Sequence, residues 1–185
     1  MAHRSALALL NLVEVGLPLS TILTDKAIEN AMLVHAAFGG STNLLLHIPA
    51  IAHAAGLSRP SVADWSHINR LTPRLVDALP NGPRNHPTAQ VFLAGGVPEV
   101  MLHLRDMGLL HLDVQTVSGE RLDAVLDWWA ESERRAAARH RLAEAGQIDP
   151  SHVIMDADAA RKAGLSSTVV FPMGNLAPEG SVIKA

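Results

Sequence analysis

Three stretches of this chain hold residues whose types and spacing could do chemistry. The first is Gly39-Gly40-Ser41-Thr42-Asn43, set between two apolar runs. Paired glycines let a backbone come close to a ligand, and Ser41, Thr42 and the amides that follow present donors at a helix start, which suits an anionic group. A tight helix-to-helix turn with an N-cap accounts for the same spacing and, on spacing alone, is the preferred reading. The second stretch, Gly95-Gly96-Val97-Pro98, is a similar pair with a weaker functional case. The third runs from Gly174 to Gly180 and holds one amide, Asn175, and one carboxylate, Glu179, where a hairpin connection explains the residues equally well. Ten histidines invite a metal reading. The nearest pairs, His47 with His53 and His103 with His111, lack the i, i+4 spacing that puts two imidazoles on one helical face, so surface or hydrogen-bonded core histidines are expected instead. No nucleophile elbow, phosphate loop or dinucleotide fingerprint occurs. With no cysteine, a thiol nucleophile, a disulfide framework and an iron–sulfur cluster held by this chain alone are excluded.

The elements that must carry these residues are mainly helices. The chain has 185 residues, 48% hydrophobic and only 3% aromatic, so its core is built from Leu, Ala, Val, Ile and Met, which favours helix over a β-sandwich. Ser5–Val15 reads as an amphipathic helix ended by Gly16 and Pro18; its start is superficially like a signal peptide, but Asn11 and Glu14 cut the apolar run short. Thr24 is expected to cap a second helix that ends at Gly39-Gly40, and Ser41 or Thr42 a third, Asn43–Ala55, apolar enough to be buried on most sides. Ser61 and Asp64 have the form of a capping box. Leu79–Pro87 is an irregular loop, Pro98 the first residue of a helix reaching Met107, and Asp113–Val117 a short strand before a turn at Ser118-Gly119. Arg121–Ala145 reads as one long charged helix. Its Trp128-Trp129 pair is expected to anchor packing, and Arg134, Arg135, Arg139 and Arg141 to lie on solvated faces. Beyond Asp149-Pro150, a short helix over Ala157–Ala163 precedes two strands, Ser166–Phe171 and Ser181–Ala185. The chain carries 15 basic and 18 acidic side chains, a net charge of −3, which leaves no excess to hold nucleic acid or an anionic membrane. It has no apolar run long enough to span a bilayer, and a cytoplasmic location is expected.

Three collinear segments, Asn30–His47, Ala94–His111 and Gly174–Lys184, resemble the dihydroxy-acid and aldonate dehydratases of the IlvD/Edd family. Leu79–Pro83, Asp127–Trp129 and Phe171-Pro172 look most like its D-xylonate dehydratase subgroup. The resemblance covers essentially the whole chain. It implies a hydro-lyase that converts a 2,3-dihydroxy acid to a 2-keto-3-deoxy acid, using an iron–sulfur cluster and magnesium as Lewis acids and a serine alkoxide as the base. The family's cluster cysteines, its Cys-Asp-Lys motif and upstream magnesium carboxylates precede the matching region, and its serine base follows it. The chain therefore resembles an internal piece, inactive alone, of a longer homo-oligomeric enzyme. The implied fold class is α/β, strongly helix-rich: 1–148 as the latter part of the N-terminal α/β domain, 149–185 as a linker and the opening strands of the C-terminal β-barrel domain. The remainder of the polypeptide and a small sugar acid are the expected partners. Ser41, Thr42 and Asn43, with Gly39 and Gly40, are the expected contributors to the substrate cavity; Asn175 and Glu179 are second choices, and no residue is assigned a catalytic or metal-binding role. A branched-chain dihydroxy-acid dehydratase and a non-catalytic helical interaction module are the alternatives.

Overall fold

A computed structural model of the chain describes residues 2–80, 82–167 and 169–184. Helix α1 spans Ala2–Glu14, α2 Leu19–Ile22, α3 Asp25–Phe38, α4 Leu44–Ala54, α5 Val62–Leu71, α6 Thr88–Leu93, α7 Gly96–Asp106, α8 Leu122–Glu131, α9 Glu133–Gly146 and α10 Ala157–Lys162. Strands β1 (Val169–Val170) and β2 (Ile183–Lys184) pair antiparallel, Val169 opposite Lys184. Among the described residues this is the only sheet, and no helix is long and apolar enough to cross a membrane.

Helix α3 is the centre of the packing and lies against α4, α5 and α7, while α7 and α6 carry the α8–α9 pair. Leu33, Leu75, Leu104, Leu126 and Ile154 are among the largest fully buried side chains. The local signals worked as expected where the partners are close in sequence. Thr24 Oγ1 accepts from Ala27 N at 3.2 Å and starts α3. Ser61 and Asp64 exchange both capping-box bonds. The structure adds a cap that the sequence analysis did not name, Asp156, which accepts from Ala159 N at the start of α10.

Several expectations are corrected. Ser41 and Thr42 do not cap α4: Asn43 holds that position in a helical conformation without a side-chain bond. That helix is not buried on most sides either. Only Ile48 and Ala52 are buried, and Leu46 is 73% exposed. Pro98 is the third residue of α7, because Gly95 (φ 126°) turns the chain and the helix starts at Gly96, two residues before the proline. The strand expected over Asp113–Val117 is a single bridge, Gln115 to Arg121. The long helix over Arg121–Ala145 is two helices, since Ser132 leaves the helical conformation (ψ 134°) and caps α9 through Arg135 N. Short helices α2 and α6 were not foreseen. The terminal strands shrink to two residues each; the parts of those expectations at Thr168 and Ala185, and of the loop at Asn81, lie outside the described residues.

Candidate functional site

The Gly39–Asn43 turn is built by the last residues of α3. Gly39 takes the left-handed conformation (φ 66°, ψ 46°), its N–H donates to Ala36 O at 3.1 Å, and Gly40 N–H donates to His35 O at 3.0 Å. This paired closure satisfies carbonyls that the helix end would leave open. The two glycines are needed for different reasons. Gly39 supplies the backbone angle, whereas a Cβ on Gly40 would overlap the His35 imidazole.

His35 was not singled out by sequence reasoning. It is 3% exposed, its Nε2 lies 3.0 Å from Ser41 O, and its ring meets Trp65 edge-on with centroids 5.2 Å apart. Its Nδ1 is buried without a hydrogen-bond partner. Burial pushes the imidazole pKa below its ordinary value and the Lys184 charge adds to this, against the opposing pull of the Ser41 carbonyl. Lys184 reaches the same turn from β2, donating to Gly40 O at 3.1 Å. A histidine inside the apolar run Val34–Phe38 was the available signal, because a buried ring nitrogen needs a partner.

Ser41 and Asn43 are exposed and Thr42 half-buried. Ser41 Oγ accepts from Asn43 N at 3.3 Å, and Ser41 O accepts from Leu44 N as well as from His35. Beside the turn lies an apolar cavity of 580 Å³ lined by Val34, His35, Phe38, Leu44 and Met101; of the five turn residues only Gly40 lines it. Asn175 and Glu179 are exposed in the β1–β2 loop, and no hydrogen bond or ion pair among the described residues joins them to the turn.

A second polar centre forms where solvated arginines were expected. Glu99 on α7 is 3% exposed and takes Arg135 Nε at 2.7 Å, Arg135 Nη2 at 2.8 Å, Arg139 Nη1 at 3.1 Å and the Trp129 indole at 3.3 Å. Burial pushes its carboxyl pKa up, but the guanidiniums and the indole outweigh this and hold it below the ordinary range. Trp129 is therefore an anchor as expected, while Trp128 is 60% exposed. This centre ties α7 to α8 and α9.

Of the histidine pairs, His111 Nε2 donates to Glu29 Oε2 at 3.0 Å, and His47 and His53 are exposed on α4. Among the described residues no three His, Asp or Glu side chains come together as a metal cradle. An iron–sulfur cluster needs thiolates or an equivalent soft donor set, and the chain has no cysteine. The residues present do not fit such a cluster.

The model of the family described as dihydroxy-acid/6-phosphogluconate dehydratase N-terminal matches residues 1–125. The chain belongs to this dehydratase family. Two D-xylonate dehydratases of Escherichia coli, YagF and YjhG, are each 61% identical to it over 185 residues, all of this chain and 28% of each relative. A dihydroxy-acid dehydratase of Mycobacterium bovis is 39% identical over 183 residues, and an L-arabinonate dehydratase of Rhizobium leguminosarum 36% over 187, covering 99% and 100% of this chain and 28% of each relative. This dehydratase-family chain thus spans a little over a quarter of the length of these relatives, and it aligns with them across both the Gly39–Asn43 turn and the Glu99 centre.

Proposed function

We propose that this chain forms part of a hydro-lyase that dehydrates a sugar acid, D-xylonate or a close aldonate, to its 2-keto-3-deoxy acid. The observation that carries the reading is the 61% identity over the whole chain to two D-xylonate dehydratases, against 39% to a dihydroxy-acid dehydratase. In this reading residues 1–148 are the latter part of the N-terminal domain, and 149–185 a linker and the opening strands of a C-terminal barrel domain. The iron–sulfur cluster and magnesium that the family uses are held by residues outside this chain, and the complete enzyme is a cytoplasmic homo-oligomer. The part played by the present residues is to shape and support the substrate cavity. Ser41, Thr42 and Asn43 form a stretch of its wall, held by Gly39 and Gly40, while Asn175 and Glu179 mark the junction between domains.

The test compares the purified 185-residue chain with the longer polypeptide containing it, assaying keto-acid formation from D-xylonate, L-arabinonate, D-gluconate and 2,3-dihydroxyisovalerate. The expected result is no turnover by the chain alone and the highest kcat/KM for D-xylonate in the longer protein. Turnover by the chain alone, or a preference for 2,3-dihydroxyisovalerate, overturns the reading.

A further inference from the structure

We infer that His35 is a positioning residue for the Gly39–Asn43 turn, its Nε2–H gripping the Ser41 carbonyl so that the free amides of Ser41 and Thr42 are aimed at oxygen atoms of the sugar acid. The inference rests on the reading above that this turn borders the substrate.

A carbonyl oxygen can only accept, so the nitrogen 3.0 Å from Ser41 O must carry the hydrogen. The other nitrogen, Nδ1, is buried with no partner, and a second proton there would have no acceptor. One tautomer of the neutral ring therefore satisfies the surroundings. Trp65 fixes the plane of that ring by its edge-on contact, and Gly40 leaves the space the ring occupies.

The consequence for the turn follows from peptide planarity. A carbonyl shares a rigid plane with the next residue's N–H, which points the opposite way. Holding Gly40 O through Lys184 and Ser41 O through His35 therefore fixes the directions of Ser41 N–H and Thr42 N–H. Neither of these two amides donates to any group among the described residues, whereas Asn43 N–H is taken by Ser41 Oγ. Two oriented, unpaired donors beside hydroxyls suit a polyhydroxy acid, whose oxygens accept at several points.

The test uses two variants. In the longer polypeptide, His35→Phe keeps a planar ring against Trp65 but deletes the donor, and His35→Gln keeps an amide donor of comparable reach. We expect His35→Phe to lower kcat/KM for D-xylonate about tenfold, mainly through KM, with part of the loss restored by His35→Gln. A folded His35→Phe protein with unchanged kcat/KM overturns the inference. In the 185-residue chain, long-range proton–nitrogen correlation spectra should show His35 protonated at Nε2, and His35→Phe or His35→Gln should shift the Ser41 and Thr42 amide resonances. An Nδ1–H tautomer, or amides that do not respond, overturns the inference whatever the enzyme's substrate. If the unsubstituted longer protein acts on no sugar acid, the functional reading fails, and the spectra still decide whether His35 holds the turn.

Discussion

Glu99 sets one carboxylate against two guanidiniums at the foot of α7, and its removal leaves Arg135 and Arg139 partly buried around an uncharged site. Glu99→Gln is expected to cost about 3 kcal/mol, read from the urea midpoint. Among the groups with displaced titration, His35 and Glu99 act in separate pH windows. The His35 pKa is depressed below 6.5, so the unfolded chain binds its proton first, and stability falls as pH drops below 6.5. The Glu99 pKa is depressed below 4.5, so its contribution is present above 4.5 and is lost as pH falls through the folded value. Thermal melts between pH 7 and 5 should therefore show a decline in the unsubstituted chain that flattens in His35→Phe; an unchanged slope would show that His35 is not its source. At this scale the sequence displayed the glycines and hydroxyls of the turn, but not the imidazole that holds them. His35 has the same letter as nine other histidines, most of them far less buried.

Among elements, the break at Ser132 has the largest consequence. Arg135 and Arg139 fall on one face of α9, being four residues apart, and the change of direction at Ser132 turns that face toward α7. Ser132 Oγ both accepts from Arg135 N at 3.2 Å and donates to Trp129 O at 3.0 Å, so Ser132→Ala is expected to cost about 1 kcal/mol in a urea melt. The sequence run Ala130–Arg135 is polar without proline or glycine, which is why it reads as continuous helix. A second inter-element tie is Asn30, 4% exposed in α3, which donates to His111 O and accepts from His111 N, both at 2.9 Å. Asn30→Ala leaves both backbone groups without those bonds and is expected to cost about 2 kcal/mol by the same measurement. No local pattern marks Asn30, because its partners lie 81 residues away.

Across the whole molecule, apolar side chains are exposed on α1 and α4, where Leu9 is 60% exposed, Val13 71%, Leu46 73% and Ile51 46%, and again along the C-terminal segment, where Leu176 is 97% exposed. Surface of this kind binds apolar dyes and drives association. The isolated chain is expected to bind such a dye and to associate as concentration rises, and a Leu46→Lys, Ile51→Lys double variant to do both less; equal dye binding by the variant would show that α4 is not the surface involved. The sequence alone determined the caps at Thr24 and Ser61 and the helix end at Gly39-Gly40, since each depends on hydrogen bonds closing within three to five residues. It also determined the family, through collinear segments read without reference to shape. The tertiary structure alone decided which side of α4 is covered, that Arg135 and Arg139 turn inward to Glu99, and that His35 and Lys184 meet at one turn. Those outcomes depend on groups from 36 to 144 residues apart, and a polar or apolar residue carries no local mark of which distant surface it will meet.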